Sequence, residues 1–285
     1  MTLSVDKFKA NPKQWSQHLI DDMCWFRKLS PEDIDKYGEY LNFDILLQSQ
    51  PDNVTEDIIR KYQDTFDEST WKRICYKKDN LSLKFMREFC NHPYFYWPYI
   101  CQFQHNLTEE FIEEHKNEVS WGNLFGFQNL SGDFVRKHIK EVKRRQDWVD
   151  VSAGCDLDEA FIIKYKSKLV WEHVLQHQRI TPTIITECKK YINFDKLLND
   201  VDCYVNYKHT QYCLRVIFNT APKKIKIRNY SLWRNKLTVD FVREFKDRFA
   251  NDDKWHFVKN KMRTDKLRRE FITNMDRKYW ANYGI

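Results

Sequence analysis

One phrase recurs along this 285-residue chain. An aliphatic residue precedes Ser, Thr or Asp, and apolar residues follow three and four positions after that polar one. Copies open at Leu29-Ser30, Val54-Thr55, Leu81-Ser82, Leu107-Thr108, Leu130-Ser131, Leu157-Asp158 and Ile180-Thr181, at spacings of 25, 27, 26, 23, 27 and 23 residues. Another opens at Leu237-Thr238, and a worn one at Leu267. No other property limits the fold as strongly. A period of this length marks a stack of units, each too small to bury a core alone.

Each position in the phrase has a physical reason. The Ser, Thr or Asp at 30, 55, 82, 108, 131, 158, 181 and 238 reads as a helix N-cap, accepting from a free N–H of the first turn. Acidic residues such as Glu32, Glu109 and Asp133 follow, at the positive end of the helix dipole. Pro31 and Pro182 take the first helical position, where a missing N–H costs nothing. The aliphatic residue before the cap faces one four beyond it, as in Leu29 with Ile34 or Leu107 with Ile112, the pairing of a hydrophobic staple. This is helix A of each repeat.

A shorter helix B follows. Its mark is an aromatic residue with an aliphatic one three later: Phe43/Leu46, Trp71/Ile74, Trp97/Ile100, Trp121/Leu124, Trp148/Val151, Trp171/Val174, Phe194/Leu197 and Trp255/Val258. That spacing puts both on one face. Asn42, Thr70, Ser120, Asp147 and Asn193 precede the aromatic residue and read as caps, whereas Tyr96, Val170 and Lys254 do not fit. The expectation is an all-α solenoid of two-helix repeats of about 23–27 residues, its Trp/Phe and Leu/Ile positions turned inward. Residues 1–28 read as an N-terminal cap carrying Trp15 and 29–200 as the array. Residues 201–285 hold an irregular repeat, a basic connection and C-terminal repeats, with the irregularity near 201–236.

The phrases "LTEEFIEEHKNEVSWGNLFGFQ", "LSGDFVRKHIKE" and "LTVDFVREFKDRF" resemble the short Leu-Ser-x-x-Phe-Ile…Trp repeats of proteins from large nucleocytoplasmic DNA viruses. The resemblance covers roughly residues 29–200 and 237–285. It implies a helical array serving mainly as an interaction surface, and it marks no activity.

Composition narrows the setting. No run of 18 apolar residues exists, so no membrane insertion is expected. The start, "MTLSVDKFKANPKQW", lacks the apolar core of a secretory signal. The eight Cys contain no C-x-x-C pair and read as reduced, buried thiols. The expected location is host cytoplasm or virion, not secretion. Five Asn-x-Ser/Thr sequons occur, at Asn53, Asn80, Asn106, Asn129 and Asn229. Four of them lie where the Ser/Thr is a repeat's cap, so they are repeat grammar and not glycan sites.

Chemistry is sparse. The six Gly never form a phosphate-cradling loop, and no nucleophile elbow, metalloprotease or kinase signature occurs. His173 and His177 have a spacing that can bind zinc but lack a defined third ligand; Cys101/His105 and Cys203/His209/Cys213 are equally loose. The reading is a non-enzyme without cofactor or metal. Charge, by contrast, is uneven. Residues 223–285 carry 18 Lys/Arg against 8 Asp/Glu, so the remainder of a +7 chain is slightly acidic. Lys223, Lys224, Lys226 and Arg228, followed by Trp233 and Arg234, alternate with Ile and read as a strand with one charged face. Lys259, Lys261, Arg263, Lys266, Arg268 and Arg269 form a second cluster. These twelve residues are the candidate contacts for an acidic partner. The expected partners are proteins; the alternative is RNA or DNA bound by the basic C-terminal third.

Overall fold

The computed structural model describes residues 3–199, 211–225 and 239–248. These residues are mostly helical, with no strand among them; a single parallel bridge joins Ser131 and Asp156. The chain divides into two compact units, Met1–Leu130 and Ser131–Ile285.

Unit 1 contains α1 (Val5–Ala10), α2 (Gln17–Phe26), α3 (Pro31–Tyr37), α4 (Phe43–Ser49) and α5 (Glu56–Tyr62). It continues with α6 (Glu68–Lys77), α7 (Leu83–Phe89), α8 (Trp97–Phe103), α9 (Glu109–Glu114) and α10 (Trp121–Phe127). Odd-numbered helices are the A helices and even-numbered ones the B helices. The B helices pack in series, α2 on α4 on α6 on α8 on α10, and α3 packs on α5. Unit 2 contains α11 (Gly132–Lys137), α12 (Arg145–Gly154), α13 (Glu159–Lys164), α14 (Trp171–His177), α15 (Pro182–Glu187) and α16 (Phe194–Asn199). After them come α17 (Gln211–Thr220) and α18 (Val239–Glu244). Here α12 packs on α14, α13 on α15, and α15 on α17.

The caps form at the expected residues. Ser30, Thr55, Ser82, Thr108, Ser131, Asp158 and Thr181 each accept from the backbone N–H three residues on, at 2.6–3.3 Å. Residues 1–28 are more than a cap. Leu3 is buried, Ser4 accepts from the Lys7 N–H, Phe8 is buried, and α2 packs as a helix B. Leu3 lies 26 residues before Leu29, so this segment is itself a repeat in register.

Helix B differs from the expectation at its start. Asn42 and Asn193 do cap, each accepting from two backbone N–H groups. Thr70 and Asp147 lie inside their helices, because α6 and α12 extend one turn further toward the N-terminus. Asp67 caps α6 instead, accepting from the Thr70 N–H at 2.8 Å. Asp147 turns back to accept from the Arg144 and Lys143 N–H groups. Ser120 sits at the cap position but its hydroxyl makes no cap bond.

The core follows the aliphatic residues more strictly than the aromatic ones. Leu46, Ile74, Ile100, Leu124, Val151, Val174 and Leu197 are all fully buried. Among the helix B aromatics, Trp71 is fully buried and Phe43, Trp97 and Phe194 nearly so. Trp121, Trp148 and Trp171 are only half-buried, which corrects the expectation that the Trp/Phe positions all turn inward.

Helices A are joined by a second repeating device. The Arg five residues beyond one cap lies over the Phe three residues beyond the next: Arg60 over Phe85 at 5.3 Å, Arg87 over Phe111 at 5.4 Å and Arg136 over Phe161 at 5.8 Å. The same guanidinium pairs with a carboxylate of the following repeat, Glu88, Glu114 or Asp158. Arg215 of α17 repeats both contacts, over Phe241 and to Glu244 of α18. The described part of the irregular stretch therefore supplies a helix A that keeps the series going from α15 to α18.

Candidate interaction surfaces

A glutamine closes helix B seven residues after its aromatic residue, at Gln50, Gln104, Gln128 and Gln178. Each reaches back into the preceding repeat. Gln104 Nε2 donates to the Cys75 and Lys78 carbonyls at 3.1 and 2.7 Å, while its Oε1 accepts from the Leu81 N–H at 2.8 Å. Gln50 and Gln178 make the same three bonds, two to carbonyls of the preceding repeat and one to the N–H that opens their own. Gln128 donates to the Cys101 and Gln104 carbonyls. These carbonyls are the acceptors a helix C-terminus leaves without intrahelical partners. At the equivalent position of α6, Lys78 donates from Nζ to the Pro51 carbonyl, and burial lowers its pKa. The interval of seven from aromatic to Gln was visible in the sequence, but only stacking explains it.

The buried cysteines belong to the same junctions. Cys75 Sγ accepts from the Tyr96 N–H and Cys101 Sγ from the Ser120 N–H, both at 3.4 Å. Ser152 Oγ does this for the Val170 N–H at 3.0 Å. Desolvation pushes the thiols of Cys24 and Cys75 up to about 11 and that of Cys101 up to about 12. They are packing elements, as the sequence reading held. Cys101 is therefore committed to the junction, and His105 stands exposed beyond it. His173 and His177 stack at 6.1 Å, and no cluster of three metal-ligating side chains occurs among the described residues.

Away from the junctions, three surfaces stand out among the described residues. The first is aromatic. On the outer side of α6 and α8, Tyr76 meets Tyr99 at 5.5 Å and Phe103 at 6.0 Å, and Tyr96 meets Tyr99 at 4.7 Å. Phe127 at the end of α10 is 52% exposed. The second is a cavity of about 490 Å³ beside the α3–α4 and α5–α6 connections, where Glu39, Asp44 and Asp67 stand around Phe43, Tyr62 and Phe66. The third is the charge of the A-to-B connections, which changes sign between units. The four in unit 1 after α1–α2 hold one Lys and four carboxylates; the three following α11, α13 and α15 in unit 2 hold seven cations and one carboxylate.

Of the twelve candidate contacts, the structure places two. Lys223 and Lys224 are exposed in a turn after α17, so the strand expected from Lys223 onward does not begin there. Lys223 borders a cavity of about 450 Å³ shared with Glu244 and Asp247. Lys226, Arg228, Trp233, Arg234, Lys259, Lys261, Arg263, Lys266, Arg268 and Arg269 lie outside the described residues. Sequence reasoning missed Arg248. Its guanidinium is buried and donates to the carbonyls of Phe218, Ala221, Pro222 and Ile225 at 2.7–3.3 Å, at the negative end of α17. Burial lowers its pKa.

No helix of the described residues is long and apolar enough to cross a membrane. No family model, curated protein or solved structure matches the chain.

Proposed function

We propose that the chain is a non-enzymatic helical-repeat scaffold, a solenoid whose stacked repeats present side chains to protein partners. It would act as a virion-associated or host-directed adaptor, like the viral arrays its repeats resemble. The observation that carries this reading is the aromatic strip of unit 1. Tyr76, Tyr96, Tyr99 and Phe103 contact one another on the outer side of α6 and α8, and Tyr96 is 38% exposed. Aromatic rings of this kind, with an apolar body and a polar tip, are enriched at protein interfaces and supply most hot spots.

A photo-crosslinking residue placed at Phe103 tests it in the native source. The expected product is a discrete protein adduct that disappears when Tyr76 and Tyr99 are changed to Ser, with helix content unchanged. Recovery of nucleic acid alone, or adducts indifferent to those changes, overturns the reading.

A further inference from the structure

We propose that the A-to-B connections of unit 2 form a binding edge for single-stranded nucleic acid. The proposal goes beyond the protein-docking reading and uses a different surface. Its first support is charge. Lys140, Lys168, Lys189 and Lys190 are exposed on three successive connections, flanked by Lys164 and Arg145. None of the six is in an ion pair with a described carboxylate, whereas the neighbouring Lys143, Arg144 and Arg136 are. The one cation on the corresponding connections of unit 1 after α1–α2, Lys116, has a carboxylate partner in Glu113. A row of unneutralised cations raises the local concentration of a polyanion and gains from counterion release when one binds.

The second support is ring geometry. Successive connections are in contact: Lys166 Nζ donates to the Glu187 carbonyl at 3.2 Å, and Trp171 stacks on Tyr191 at 5.9 Å with an interplanar angle of 16°. The indole is fixed by its Nε1, which donates to the Lys166 carbonyl at 2.8 Å. Tyr191 is 39% exposed although Trp171 covers one side of it. A nucleobase can extend this two-ring stack while its flanking phosphates meet Lys189 and Lys190 on one side and Lys166 and Lys168 on the other. Such a combination of stacking platform and cationic groove binds single strands with little sequence preference. An acidic peptide would use the cations and leave the stack idle. The packing of neighbouring helices spaces the connections about 10 Å apart, and a flexible strand adapts to that interval.

The test is fluorescence anisotropy on the full chain with a labelled oligouridylate of about 20 nucleotides. Affinity should fall steeply with salt. Lys168→Glu, Lys189→Glu and Lys190→Glu together should weaken binding by 10-fold or more and flatten the log–log salt slope by roughly 0.7 per lost contact. Tyr191→Ala should weaken it about 5-fold or more, and only for an oligomer with bases, not for its abasic counterpart. Lys223→Glu with Lys224→Glu should leave most of the affinity in place. No binding at about 50 mM salt overturns the proposal, as does loss of binding only with the Lys223/Lys224 pair. Equal competition by polyglutamate together with indifference to Tyr191→Ala assigns the edge to an acidic protein. Salt-sensitive self-association of the chain that blocks the oligomer assigns it to the acidic connections of a second copy.

Discussion

At the scale of single residues, the junction glutamines are the most consequential side chains that carry no charge. Gln104 is fully buried and satisfies two carbonyls of the repeat before it and the N–H that opens its own repeat. Changing Gln104 to Leu strands three polar groups and should cost about 2–4 kcal/mol, because an unpaired buried group loses its full desolvation penalty; thermal unfolding measures it. The cysteines make a prediction with a sign. Burial holds the Cys101 thiol near 12 in the fold, above the free-thiol value of about 8.5. The folded state therefore keeps its proton longer, so this contribution is whole below about pH 8.5 and drains away as pH rises toward 12. The stability advantage of wild type over Cys101→Ser should shrink steadily above about pH 9. A difference that stays flat to pH 11, read from paired melting curves, contradicts it. Ser152 shows that a hydroxyl can accept the same N–H, so the Ser variant should fold.

At the scale of elements, helix A was legible almost residue for residue. Its cap, its acidic first turn and its two apolar positions are local rules, each decided within a few residues. Helix B was less so. Its first turn depends on which carbonyls and thiols the preceding repeat offers, and this moved the caps of α6 and α12 away from Thr70 and Asp147. Gly38 shows the same dependence. A Cβ there would lie 2.5 Å from the Tyr62 ring of the next repeat, and Tyr62 is held by its hydroxyl, which donates to the Asp35 carbonyl at 2.8 Å. The glycine is needed for space, not for conformation, because its backbone is already right-handed helical. Gly38→Ala should cost about 1–3 kcal/mol as overpacking, and become near neutral in a Tyr62→Ala background. A double-mutant cycle on unfolding free energies reads the coupling; additivity would show that the two residues do not press on each other.

At the scale of the whole molecule, net charge misleads. The sequence places the basic character after residue 222, yet the described residues show a second, internal polarity, acidic in the connections of unit 1 and basic in those of unit 2. It was hard to read because Lys140, Lys168, Lys189 and Lys190 are scattered over 51 positions and gather only when helices A stack on helices A. Lys9, Lys61, Arg60 and Arg87 look equally basic in the sequence but are neutralised by a neighbouring repeat, the preceding one for Lys61 and the following one for the others. Lys140, Lys168, Lys189 and Lys190 have no ion pair with a described carboxylate, so changing them should leave the melting temperature within a few degrees of wild type. The glutamine clasps point backward in every case, from a helix B to the repeat before it. The clasp itself draws on the preceding repeat only through backbone carbonyls, which any sequence supplies. A change of side chains at the end of one helix B should therefore leave the clasp that follows it intact.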